Sequence, residues 1–116
     1  KMDQLSVSRS FLQKAISIDP NWDYPVLIEA QLYEQAARGC EFDFMAKCVY
    51  LLAVNTYKKA ASMNGQYSSL AADRVKALQN SIPTKEDYFF RKLKSGDVIK
   101  IEGDCYSWIG KTVQVP

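Results

Sequence analysis

The chain contains no histidine, which removes at once the commonest general base and the commonest metal ligand. Cysteine is scarce: Cys40, Cys48 and Cys105 are odd in number and lack C-x-x-C spacing, so a zinc site is not indicated. The glycines, at positions 39, 65, 96, 103 and 110, form neither a G-x-G-x-x-G fingerprint nor a P-loop. Long apolar runs are missing too. The best, Cys48 to Val54, stops far short of a transmembrane helix. Neither sign of charge dominates, and a net charge of +2 is too weak to argue for nucleic acid or an acidic membrane surface.

What is present is ordinary globular material. With 116 residues, 47% of them apolar and 24% charged, the chain fits one domain, or one domain with a short appendage. No secretory signal is visible, and Lys1-Met2-Asp3 reads as the middle of a helix, as in a piece cut from a longer protein. The charges are unevenly spread. Asp19, Asp23, Glu29, Glu34, Glu41 and Asp43 crowd the first half, and Lys58, Lys59, Arg74 and Lys76 the second. Neighbouring helices that complement each other account for that asymmetry.

Breakers divide the chain. A first helix is predicted from about Gln4 to Ile18, with Phe11, Leu12, Ala15 and Ile18 at helical spacing and Asp19-Pro20 as its stop. Asp23 is the expected N-cap of a second helix running to about Arg38 and closed by Gly39. Its stripe Val26, Ala30, Tyr33, Ala37 faces a core, with Glu29 and Arg38 toward water. A third helix, about Phe44 to Met63, is apolar on most sides and keeps one polar stripe, Lys47, Asn55, Lys58 and Ser62. A fourth, about Ser68 to Gln79, buries Leu70, Val75 and Leu78 beside the small Ala71 and Ala72. Thr84 with Asp87 three residues later marks a capping box opening a short fifth helix, whose apolar face is Phe89, Phe90 and Leu93 and whose stop is Gly96. Three short strand-like runs follow: Val98–Ile101, Cys105–Trp108 and Thr112–Val115.

The helical part resembles the tetratricopeptide repeat family. Ala30 and Tyr33 match its first helix and Ala53, Tyr57 and Ala60 its second, with Gly65 where the family usually has proline. Leu12, Ala15 and Pro20 supply a preceding half-repeat, and Val75 with Leu78 begin the next, so the resemblance covers residues 5 to 80. Small residues let two helices approach while an aromatic fills the adjacent groove. Departures are visible. The family's period is about 34 residues, whereas Ala15 to Ala60 spans 45, a surplus close to three helical turns. Val26 replaces the first-helix tryptophan, and Glu29 stands at a leucine position. The tail from Ile82 to Val115 also looks like the end of tetratricopeptide proteins from Bacteroidetes, which implies a bacterial envelope or periplasmic setting.

The expected fold is therefore mainly α: a tetratricopeptide-like array of antiparallel helix pairs over residues 1–82, then a capping helix and small β appendage over 83–116. No catalytic residue, metal ligand or cofactor site is indicated. Cys105 has no histidine to activate it, and Glu86-Asp87 and Glu102-x-Asp104 are acids in a helix start and a turn. Arg91, Lys92, Lys94, Lys100 and Lys111 interleave with Tyr88, Phe89, Phe90, Tyr106 and Trp108, as in single-strand binders. Nearby acids nearly cancel that charge, so core aromatics under a mixed surface are expected, and nucleic acid is not. For Cys40 and Cys48, two free buried thiols are expected, with a bond between them the alternative in an oxidising compartment.

Protein recognition is what remains. The resemblance implies a groove lined by Tyr24, Leu27, Gln31, Glu34 and Gln35 from one unit and Ser69, Ala72, Lys76 and Gln79 from the next. The partner would be another protein or peptide segment, with self-association through the repeats a further expectation. The alternatives are that the β tail or a neighbouring repeat fills the groove, or that the chain is a structural cap of a longer solenoid.

Overall fold

Breakers at Pro20, Gly39, Gly65 and Pro83 cut the chain into the segments the sequence predicts. The computed structural model describes residues 2–116, with side chains from Gln4 onward; Lys1, which opens the Lys1-Met2-Asp3 stretch, lies outside the described residues. The fold is mainly helical: α1 (Met2–Ile18), α2 (Asp23–Arg38), α3 (Phe44–Ala61), α4 (Ser68–Ala77) and α5 (Lys85–Phe90) precede β1 (Val98–Lys100) and β2 (Thr112–Gln114). The strands pair antiparallel with Ile99 opposite Val113, both buried, while their neighbours on each strand face water.

The core sits between α2 and α3. Ala30, Tyr33, Ala53, Tyr57 and Ala60 are all at 0% exposure within one cluster that also holds Val26, Leu27, Val49 and Val54. Alanine at three of these positions brings two helix backbones close enough for the tyrosine rings to fill what remains. The start of α3 is fixed by Asp43, whose carboxylate accepts the Ala46 N–H at 2.9 Å. At α5 the predicted capping box is present in both directions between Thr84 and Asp87.

Several expectations need correction. Asp23 does not cap α2; it is the first residue of the helix, and its buried carboxylate accepts the Tyr67 N–H at 2.7 Å, across the α3–α4 turn. Glu29 does not face water but is 6% exposed and accepts the Tyr33 hydroxyl at 2.5 Å. Phe11 and Ile18 of α1 are exposed, because α1 packs on α2 through Leu5, Arg9 and Ile16 instead. Leu70 is likewise exposed, and α4 buries Ala71 with Leu78 beyond its end. Phe89 and Phe90 are not core; Tyr88 is the residue that α5 buries, edge-on to Phe44. The helix stops at Phe90 rather than at Gly96, and Lys92, two residues on, takes a left-handed φ of 57°.

The middle strand-like run is not a strand. From Gly103 to Ile109 the chain makes successive tight turns, with Tyr106 N–H bonding to Gly103 O and Ile109 N–H to Tyr106 O, both at 3.0 Å. Cys105 is drawn out of any ladder by a disulfide to Cys40 at the end of α2. The thiol expectation is thus half right: Cys48 is free and buried, and Cys40 is bonded, to a partner 65 positions away rather than to Cys48. Burial pushes the Cys48 thiol up to about 11.

A second polar cluster docks the appendage. Arg9 of α1 donates to the Trp108 carbonyl at 2.7 Å and lies over the rings of Tyr33 and Trp108, which stack at 6.2 Å. The charge on Arg9 and the Glu29–Tyr33 hydrogen bond join α1, α2 and the turn segment in one place.

Candidate functional site

Three helices converge on one carboxylate. Glu34 projects from α2 and is 5% exposed. Its Oε1 accepts the Tyr57 hydroxyl of α3 at 2.8 Å, and its Oε2 accepts Arg74 Nη2 of α4 at 2.6 Å. Arg38, one turn along α2, also donates to Oε2. Burial, reinforced by the Glu34 hydrogen bond and charge, pushes the Tyr57 hydroxyl far above its ordinary range, so it stays a donor. A buried carboxylate held by a phenol and a guanidinium is satisfied rather than reactive. The acid-rich first half and base-rich second half of the sequence meet here, as Glu34 and Arg74.

Above this floor lies a cleft of about 410 Å³ lined by Gln31, Glu34, Gln35, Arg38, Tyr57 and Arg74. Gln31, Gln35 and Arg38 are exposed on its rim, where two amides and a guanidinium offer donors and acceptors outward. No residue of the β appendage lines it, so the tail does not fill this groove.

The structure thus brings together three of the predicted strip residues, Gln31, Glu34 and Gln35, and separates the others from them. Glu34 forms the floor and not the rim. Leu27 is 1% exposed inside the α2–α3 core and has no surface to offer a ligand. Tyr24 is partly exposed but lies two helical turns before Gln31, packed on Tyr67 at 4.8 Å in an aromatic patch with Trp22. On α4, Ser69, Lys76 and Gln79 are exposed and Ala72 is half-buried, and none of the four lines the cleft. Gln79 donates instead to its own helix at the Val75 carbonyl, 2.8 Å away.

Sequence reasoning missed Arg74, Arg38 and Tyr57. The Glu34–Arg38 spacing of four on one helix face could have found Arg38. The acid–base imbalance between the halves points to a base on a later helix without naming Arg74, and no spacing ties Tyr57 to Glu34. Among the described residues no helix is long and apolar enough to cross a membrane. Comparison of the chain with protein-family models, with curated proteins and with solved structures gives no match.

Proposed function

We propose that this chain is a protein-interaction scaffold of tetratricopeptide-like type, whose α2–α4 cleft takes a peptide segment of a partner protein. The observation that carries this reading is the cleft itself. Gln31 and Gln35 are free to engage a ligand, and the exposed Arg38 guanidinium keeps donors beyond the one it gives Glu34, while Glu34, Tyr57 and Arg74 hold one another beneath them. A rim of adaptable amides on a preorganised floor costs little ordering on binding. Two guanidiniums against one carboxylate favour a peptide with acidic groups, and the affinity falls as salt rises.

The Cys40–Cys105 bond supports an oxidising compartment, in keeping with the envelope setting that the resemblance of the tail implies. The second reading is a structural cap of a longer helical stack. It is favoured by α1, where Val7, Phe11 and Ile18 are all exposed at helical spacing, as on a helix that stacks against another.

Selection from a peptide-display library on the 116-residue chain tests the first reading. Selected peptides should lose binding to Gln31→Ala/Arg38→Ala and keep it on Tyr24→Ala, with thermal midpoints unchanged. Recovery of no peptide, or of peptides indifferent to the double variant, would leave the cap reading in possession.

A further inference from the structure

Phe89 and Phe90 stand out from the surface at 79% and 84% exposure, their rings edge-on with centroids 6.4 Å apart. The local structure holds them there. Tyr88 is the side chain that α5 buries, the Thr84–Asp87 capping box fixes its start, and Lys47 pairs with Asp87 at 3.1 Å. The chain then leaves the helix through the left-handed Lys92, with the Leu93 N–H returning to the Tyr88 carbonyl at 2.9 Å, and the two rings stay exposed at this helix end, the tip.

The chemistry around the tip is uneven. Its surface is lined by Phe89, Phe90, Leu93, Lys92 and Lys94, two ammonium groups and no acid. Asp87 is neutralised by Lys47, and the Asp97 carboxylate is turned to the Lys94 backbone N–H at 2.8 Å. Arg91 is drawn back over the Phe44 ring at 4.0 Å. Lys85 and Glu86, on the first turn of α5, offset each other. The acids of this segment nearly balance its bases overall, but Lys92 and Lys94 are the charged side chains that line the surface beside the two rings.

We propose that the Phe89–Phe90 tip docks the chain on an anionic lipid bilayer, with both rings in the headgroup–acyl boundary and Lys92 and Lys94 against lipid phosphates. An exposed aromatic pair with ammonium groups beside it needs no partner of fixed shape, and a fluid interface moulds to it. Lysine stems lie along the apolar boundary while their charges stay with the headgroups. The surface of the tip presents ammonium groups and no other hydrogen-bonding side chain, which is the composition of an interfacial anchor rather than of a protein interface.

Co-sedimentation with vesicles tests this. The 116-residue chain should sediment with phosphatidylcholine vesicles containing phosphatidylglycerol, weakly or not at all with pure phosphatidylcholine, and less as salt rises. Lys92→Glu/Lys94→Glu should weaken partition by about tenfold or more, and Phe89→Ser/Phe90→Ser should abolish it, each with an unchanged thermal midpoint. Phe90→Trp should shift its emission to the blue on the anionic vesicles. Equal sedimentation with both vesicles, none with either, an unshifted emission, or binding that survives loss of both rings overturns the proposal. A dimer that Phe89→Ser/Phe90→Ser dissociates, without vesicle binding, overturns it in favour of a second copy at the tip.

Discussion

The Asp23 carboxylate occupies the space in which a Cβ on residue 65 would lie. A methyl group at Gly65 would come within 2.3–2.6 Å of the three carboxylate atoms. They cannot swing away freely, since Oδ2 accepts the Tyr67 N–H and lies 3.5 Å from the Ser68 hydroxyl. Gly65 is therefore required by a neighbour from another helix. Gly65→Ala should cost about 1–3 kcal/mol. In the Asp23→Ala background the same change should cost much less, and a double-mutant cycle by denaturant melts reads the coupling.

Ala53 lies within the core that α2 and α3 share, at 0% exposure. Ala53→Leu should overpack that core and cost about 1–3 kcal/mol. A thermal midpoint equal to that of the wild type would remove the alanine-mediated approach as the reason for this residue.

Thiol counting separates the three cysteines. Denatured without reductant, the chain should show one reactive thiol, Cys48, and three after reduction. In the native state at neutral pH, Cys48 should resist alkylation. It is buried, and burial keeps its thiol protonated, with a pKa raised to about 11.

Acid should act through Asp87. Hydrogen bonding from the Thr84 backbone N–H, with Lys47 assisting, holds its carboxyl below the usual range. A depressed folded pKa gives stability that is present above the unfolded value and lost as pH falls through the folded one. The loss should therefore lie below about pH 4, and Asp87→Asn should flatten that limb of the stability profile measured by urea melts.

Breaking the buried pair at the cleft should be asymmetric. Tyr57→Phe removes one neutral donor and should cost about 1 kcal/mol. Glu34→Ala leaves the Tyr57 hydroxyl and Arg74 without their acceptor and should cost about 2–3 kcal/mol. That figure is moderated because Arg74 and Arg38 reach water, at 34% and 65% side-chain exposure. Denaturant midpoints of the two variants decide the ordering.

The helix boundaries were legible because their signals are local. Pro20, Gly39 and Thr84 act on their own neighbours, and the helices begin and end near them. The small-residue and tyrosine pattern likewise named the α2–α3 core. Side-chain orientation at the edges was not legible, since it depends on partners distant in sequence. Glu29 reads as a solvent residue until the fold buries it with its carboxylate on the Tyr33 hydroxyl, and Phe89 reads as core until Tyr88 takes its place. The cleft was half legible for the same reason. Gln31, Glu34 and Gln35 share a face by spacing, but nothing short of the fold sets Arg74 against Glu34, 40 positions away. The Cys40–Cys105 bond was invisible because turn geometry, not sequence distance, decides which thiols meet.

That bond makes a closed covalent ring of everything from the end of α2 to the turns between the strands. A protease cutting in the turn after α3, or between α4 and α5, would open the ring without releasing a fragment. The nicked chain would run as one band without reductant and as two with it. The cleft floor would behave differently from the ring. Glu34 and Tyr57 lie on the same side of a cut after α3 and Arg74 on the other, so a nicked protein would keep Arg74 tethered through the appendage. The segment from α4 to Cys105, fastened at Cys40, then acts as a retaining strap, holding α4 within reach of α2 after the direct path between them has been severed.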